Sequence, residues 1–274
     1  MRSLILLMLM LMILPKVAVA TLDVDVEAEL LMYNNQWDKG VGIVLYQSRQ
    51  YGTGWWIDRE EHILVTAAHV VSYNAEATQA DINIIRGEFI TRGRVIYLDR
   101  TSDIAIIQTE DIPEDAYIFS IARSVEKGEN IIVIGYPYEL LQVYANDLYR
   151  MSMNPRASFG QITWIEEPYR MAEIGTYTDA GNSGGPIVNE RGAVVGLVTF
   201  ALAGRSATLY FMTTTHAIRE ALDRAGVQYT LAPESMAEAV SDITSTGRTQ
   251  LVLLAVGAFA IGILVATFVK NGRR

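Results

Sequence analysis

Between residues 40 and 212 the chain breaks into eleven short runs rich in Ile, Val, Tyr and Trp, at 40–47, 52–58, 62–66, 81–86, 89–98, 104–109, 130–135, 160–165, 186–188, 194–200 and 207–212. Gly, Asp, Asn or Pro separates them, so each run reads as a strand and each separator as a turn. Little helical periodicity lies between the runs. That excludes a doubly wound sheet, where strands alternate with helices, and leaves an all-β antiparallel sandwich or a pair of barrels. One helix is predicted, in THAIREALDRAGV. There Ile218 and Leu222 sit four apart with Ala217, Ala221 and Ala225 alongside, charges take the other face, and Gly226 is placed to stop it. No internal repeat is present.

The two ends of the chain have a different character. Residues 1–20, MRSLILLMLMLMILPKVAVA, place Arg2 before an apolar run and finish on Ala18-Val19-Ala20, the small-x-small pattern of a signal peptidase site. They are expected to be a signal peptide; Pro15 and Lys16 near that site keep open a retained signal anchor. Residues 251–269 are apolar except for Thr267, long enough to cross a hydrocarbon core as a helix, and Lys270, Arg273 and Arg274 follow. The positive-inside rule puts such a tail in the cytoplasm. The expected organisation is a signal peptide at 1–20, a folded domain at 21–229, a Ser/Thr/Ala/Glu/Gly-rich stem at 230–249, a transmembrane helix at 250–270 and a cytoplasmic tail at 271–274. The folded domain would face the extracytoplasmic side.

Charge is consistent with that placement. The termini outside 21–248 carry five of the 22 basic residues and none of the 31 acidic ones, leaving 17 basic against 31 acidic residues, a net charge of −14, in the middle. Such a surface repels nucleic acid backbones and anionic headgroups, so no nucleic-acid partner is expected. Without cysteine there is no disulfide, thiolate metal ligand or cysteine nucleophile, and three histidines without His-Glu-x-x-His spacing give no catalytic zinc site. Neither a metal nor a cofactor is expected.

The chemistry-bearing stretch is DAGNSGGPIV, residues 179–188. Turn chemistry alone accounts for glycines, but a serine among them is also what a nucleophile on a tight loop requires. A serine hydroxyl attacks only if a base takes its proton, and the base needs a third group to fix its tautomer and stabilise its charge. His69 lies in ILVTAAHVV, after an apolar strand and beside small residues, and Asp103 in DRTSDIAII, at the head of another. Each alone is ordinary; together, in the order His, Asp, Ser, they point to nucleophilic catalysis.

TAAHVV, DRTSDIAII and GNSGGPIV together resemble the chymotrypsin-like (trypsin-like) serine proteases, most closely the cysteine-free high-temperature-requirement branch. The resemblance extends to Gly52-Thr53-Gly54-Trp55, Ile134-Gly135-Tyr136-Pro137 and Phe159-Gly160-Gln161-Ile162, and covers roughly residues 36–225. It implies two six-stranded antiparallel barrels with a boundary near 112–125 and an active site between them. It also implies a serine endopeptidase acting on polypeptides, with Ser183 as nucleophile, His69 as base and Asp103 as its orienting group. Gly181 and Ser183 would aim N–H groups at the oxyanion. Thr199, Phe200 and Ala201 match the strand that pairs with substrate and walls the pocket.

The chain departs from this family in three places. Thr178-Asp179-Ala180 runs straight into Gly181, shorter than is usual before the serine motif. The stem and apolar run follow the protease-like region where a PDZ domain is usual, so peptide-regulated activity is not carried over. Tyr177, six before the serine, occupies the place where trypsin-like enzymes keep an acidic residue, so basic specificity is not implied; a small or medium apolar residue before the scissile bond is expected instead. A non-catalytic binding or assembly protein on the same fold, with a collapsed oxyanion loop, is the alternative. Oligomeric state is left open. His62 reads as an exposed turn residue and His216 as the start of the helix, while Trp55 and Trp56 read as packing. Tyr136 and Tyr138 read either as loop anchors or as substrate walls.

Overall fold

The computed structural model describes residues 35–47, 50–71, 82–166, 168, 170–204 and 207–233. Within them the strands close into two six-stranded antiparallel barrels. The first holds β1 (Val41–Tyr46), β2 (Gln50–Asp58), β3 (Ile63–Thr66), β4 (Ile82–Arg86), β5 (Phe89–Asp99) and β6 (Ile104–Thr109), in the order β1-β2-β3-β6-β5-β4. The second holds β7 (Asn130–Gly135), β8 (Arg156–Ile165), β9 (Met171–Ile174), β10 (Pro186–Asn189), β11 (Val194–Ala203) and β12 (Thr208–Thr214), in the order β10-β11-β12-β9-β8-β7. The open choice between sandwich and barrels is thus resolved. Closure removes unpaired strand edges and turns one face of every strand inward. The Ile- and Val-rich strands β3 and β6 are buried almost throughout, whereas β5 alternates and faces water on one side.

The α-helices that lie wholly within the described residues are α1 (Ala68–Val71), α2 (Glu139–Val143), α3 (Leu148–Ser152) and α4 (Thr215–Ala225). The last is the helix predicted from sequence. Gly226 ends it in the left-handed conformation at φ 70°, and the Val227 N–H donates back to the Leu222 carbonyl at 3.0 Å. Its apolar face, Ala217, Ile218, Ala221 and Leu222, is buried and packs on strands of both barrels. The inter-barrel connection is drawn in by the Arg59 guanidinium, which donates to the carbonyls of Pro113, Glu114 and Ala116. Phe119 meets Trp55 edge to face at 5.9 Å between ring centres, so both core tryptophans sit in packing as expected, each fully buried.

Sequence reading missed β9 and started β8 four residues late; α1, α2 and α3 were also not predicted. Among the described residues no helix is long and apolar enough to cross a membrane. The expected signal peptide at 1–20 and the span at 250–270 lie outside the described residues, as does the stem beyond residue 233.

One half-buried carboxylate at the edge of the first barrel sits poorly. Asp38, in the 3₁₀ turn Asp38–Gly40 that precedes β1, keeps Oδ1 out of solvent without a hydrogen-bond partner, and burial pushes its carboxyl up to about 6. The folded chain therefore holds this proton more tightly than the unfolded chain does. Its stabilising contribution is complete below the unfolded value of 3.8 and is lost as pH rises through about 6. Asp38→Asn should accordingly melt higher than the parent at about pH 7, with the gap closing near pH 4. Thermal unfolding of both proteins across that range checks this; a gap that ignores pH would contradict it.

Candidate active site

The strand β3 ends at Thr66, and small residues at Ala67 and Ala68 let the chain turn at once into the single helical turn α1, which carries His69. Asp103 approaches from the turn before β6. There the Asp99 carboxylate accepts the N–H groups of Thr101 (2.8 Å) and Ser102 (3.1 Å), tightening the turn, and Asp103 itself adopts a positive φ of 55°. Non-glycine residues pay for that conformation, and Asp tolerates it better than most. The result is a three-point grip. Asp103 Oδ1 accepts the His69 backbone N–H at 2.9 Å, Oδ2 lies 2.7 Å from Nδ1, and the Asp103 carbonyl accepts the Ala68 N–H at 3.1 Å. A carboxylate can only accept, so Nδ1 carries the proton and Nε2 is left as the basic nitrogen. The imidazole side chain remains 36 % exposed, open to a substrate.

The second barrel supports this pair from behind. Arg170 donates to Ser102 Oγ at 3.0 Å and Thr213 Oγ1 donates to the Ser102 carbonyl at 2.6 Å, which fixes the residue next to Asp103. On the other side Gln50 Nε2 donates to the His69 carbonyl at 2.9 Å.

The serine loop is held carbonyl by carbonyl. The Ala180 carbonyl accepts the Tyr138 N–H (2.6 Å), Gly181 accepts Thr53 Oγ1–H (2.8 Å), Asn182 accepts the Gly185 N–H (2.8 Å) and Ser183 accepts the Thr53 N–H (2.9 Å). Of the amides, Asn182 N–H goes to the Asp179 carbonyl at 3.0 Å and Gly184 N–H to Val198 at 2.7 Å. Among the described residues, the N–H groups of Gly181 and Ser183 and the Ser183 hydroxyl donate to nothing. In a trans peptide the N–H points opposite to the C=O. Tying down the carbonyls of Ala180 and Asn182 therefore turns the Gly181 and Ser183 amides to the side opposite those bonds. Gly181 and Gly184 have φ of 93° and 82°, and a Cβ at Gly184 would fall 2.2 Å from Thr66 Oγ1 and 2.6 Å from the Ala67 amide. Glycine is required there by conformation and by space. The same contact sets the serine loop against the residues that lead into His69.

Tyr177 is exposed and donates its hydroxyl to Glu139 Oε1 at 3.0 Å, with the ring edge-on to Tyr210 at 5.6 Å. Glu139 in turn pairs with Arg156 at 3.6 Å. Between Val198 and Ala201 the register of β11 on β12 shifts, so Thr199 and Phe200 share a bulge. Thr199 turns inward, donating to the Phe211 carbonyl at 3.1 Å, while Phe200 turns outward and stacks on Phe211 at 4.9 Å. Ala201 is exposed beside it. Tyr136 proves to be an anchor: it is fully buried, and its hydroxyl reaches the Ser152 carbonyl at 2.9 Å. Tyr138 is 54 % exposed. His62 sits in a turn at φ 56°, and His216 lies in the first turn of α4. Among the described residues no group of His, Asp and Glu is placed to hold a metal ion.

Sequence reasoning missed Gln50 and Glu139, named Thr53 only within a motif and without a role, and left Tyr138 open between loop anchor and substrate wall; its N–H on the Ala180 carbonyl makes it an anchor of the serine loop. The Gly-Thr-Gly around Thr53 was a visible signal for that residue, because flanking glycines permit close backbone approach.

The family model described as "Trypsin-like peptidase domain" matches residues 52–197. Among curated proteins, the chain is 30 % identical over 156 residues to the "Probable serine protease do-like" of Buchnera aphidicola, covering 57 % of this chain and 30 % of that protein. It is 28 % identical over 165 residues to "Serine protease HTRA2, mitochondrial" of Bos taurus, covering 59 % of this chain and 33 % of the relative. The chain thus spans about a third of these relatives' length. The crystal structure of the serine endoprotease from Yersinia pestis shares the fold with a TM-score of 0.56 at 20 % identity, over 70 % of this chain and 66 % of that one.

Thr53 is buried and donates or accepts at four points of this network. Thr53→Val keeps its shape but leaves the Gly181 carbonyl and the Tyr136 amide without their partner. It should lose about 1–3 kcal/mol of stability, with Thr53→Ser recovering most of it. Urea unfolding at unchanged m-value reads this directly, and a variant as stable as the parent would contradict the network.

Proposed function

The chain belongs to the trypsin-like peptidase family, and from that premise we propose that it is a serine endopeptidase acting on polypeptide substrates. Ser183 Oγ attacks the scissile carbonyl and passes its proton to His69 Nε2. The carbonyl oxygen, now negative, is received by the amides of Gly181 and Ser183. His69 then protonates the departing amine, and a water activated by the same nitrogen releases the acyl group from Ser183. Asp103 holds the imidazole in the required tautomer and stabilises its positive form. The observation that carries this reading is the serine loop: its four carbonyls are all engaged while the two amides an oxyanion needs are free. The non-catalytic alternative calls for a collapsed loop, and this arrangement argues against it.

Pocket chemistry supports an apolar residue before the scissile bond. Tyr177 offers no carboxylate to a guanidinium or ammonium, and the nearby Glu139 is already engaged by Tyr177 and Arg156. Hydrolysis of a peptide library should favour small or medium apolar residues there, and Ser183→Ala should abolish it without unfolding the domain. Losing a triad member typically leaves on the order of a 10³–10⁴-fold residual advantage over water. Activity within tenfold of the parent in a folded Ser183→Ala protein would refute the assignment.

We further propose that the domain is membrane-anchored by residues 250–270 on the extracytoplasmic side and processes misfolded or membrane-proximal proteins. The apolar run, the basic residues after it and the acidic middle of the chain support this. Protease added outside intact cells or spheroplasts should digest the domain. Resistance until the membrane is opened would reverse the orientation.

A further inference from the structure

Tyr51, in β2 two residues before Thr53, has no part in the chemistry described above. Its ring lies parallel to that of Tyr138, with 6.3 Å between centres and 15° between planes. On another side it meets Gly181: a Cβ there would lie 2.2 Å from the Tyr136 carbonyl oxygen and, on the Tyr51 side, 2.9 Å from Cε2 and 3.1 Å from the hydroxyl oxygen. Tyr138, its stacking partner, is the residue whose N–H holds the Ala180 carbonyl at 2.6 Å. Beside the Tyr136 carbonyl, the residues that border the Ala180–Gly181 peptide thus include a stacked pair, Tyr138 holding it by its backbone hydrogen bond and Tyr51 by contact.

We propose that Tyr51 is a positioning residue, a wedge whose ring keeps the Ala180–Gly181 peptide turned so that the Gly181 amide faces the oxyanion. The proposal rests on the protease reading. A glycine at φ 93° is free to adopt other conformations, and one hydrogen bond from Tyr138 is a weak restraint on a peptide plane. A rotated peptide would turn the amide away and bring the Ala180 carbonyl toward the place where negative charge develops. With the Tyr51 ring against the Gly181 α-carbon, the space such a rotation needs is filled. The hydroxyl has no share in this. It is excluded from solvent without a partner, and its pKa is raised, chiefly by burial, so it stays a neutral phenol whose unpaired oxygen is a burden on the fold.

The ring and the hydroxyl are separated by two substitutions. Tyr51→Phe should keep kcat within about twofold and unfold no earlier than the parent, because it removes only the unpaired group. Tyr51→Leu should lower kcat by roughly tenfold or more with KM within about threefold, since the amide acts on the transition state. Affinity for a peptidyl boronic acid, which forms a tetrahedral adduct on the serine, should fall in proportion. Folding is monitored by thermal unfolding of each protein. A Tyr51→Leu protein with parental kcat, or one that changes only KM, overturns the wedge. So does a Tyr51→Phe protein as impaired as Tyr51→Leu, which would give the hydroxyl the role instead. Failure of the protease reading shows separately, as a parent protein that neither hydrolyses peptides nor binds the boronic acid.

Discussion

The hydrogen bonds of Thr53 are what the rest of the site depends on. This one residue of the first barrel reaches the serine loop of the second with its amide and its hydroxyl, takes the Tyr136 amide on that hydroxyl, and receives Thr66 Oγ1 on its carbonyl. Each bond contributes little by itself, about 1 kcal/mol net. Their effect is geometric. Two carbonyls of the Gly181–Ser183 stretch are pinned to a buried strand, so the peptide planes between them have few orientations left. An oxyanion site needs donors that are already in place when charge appears, since reorganising them during the reaction would cost the advantage they give.

His69 is fixed in a comparable way but from other directions. Asp103 holds both the backbone and the ring of His69, and Ser102 beside it is gripped by Arg170 and Thr213 from the second barrel. Each barrel thus restrains the element of the proposed triad carried by the other. Arg170 also engages Glu220 of α4 at 2.5 Å, and Glu220 engages Arg224. These side chains are 31–55 % exposed and so add little stability on their own. Their contribution is to keep α4 and the Asp103 turn in one arrangement.

Much of this was legible in the sequence because it is local. The three motifs around His69, Asp103 and Ser183 combine a strand, a turn and a reactive side chain within a few residues, and the glycines at 181 and 184 signalled the positive φ that the loop adopts. Strand β9 was not legible: four residues with alternating burial, ending on Ile174, become a strand only because β8 and β12 pair on both sides. The five-residue helices α2 and α3 are too short to show a period. For Thr53 the flanking glycines were visible but the partner was not. Its bond to Gly181 spans 128 positions of chain, and no local pattern encodes a partner so distant.

The central claim is that Ser183 alone among the serines is activated, by a base oriented through Asp103 and a loop that presents two amides. Labelling the folded protein with a fluorophosphonate and mapping the adduct by mass spectrometry tests it most directly. The account predicts one adduct, on Ser183, formed far more slowly when Asp103 is replaced by Asn and the fold is retained. An unlabelled chain, or an adduct spread over other serines at similar rates, would contradict it.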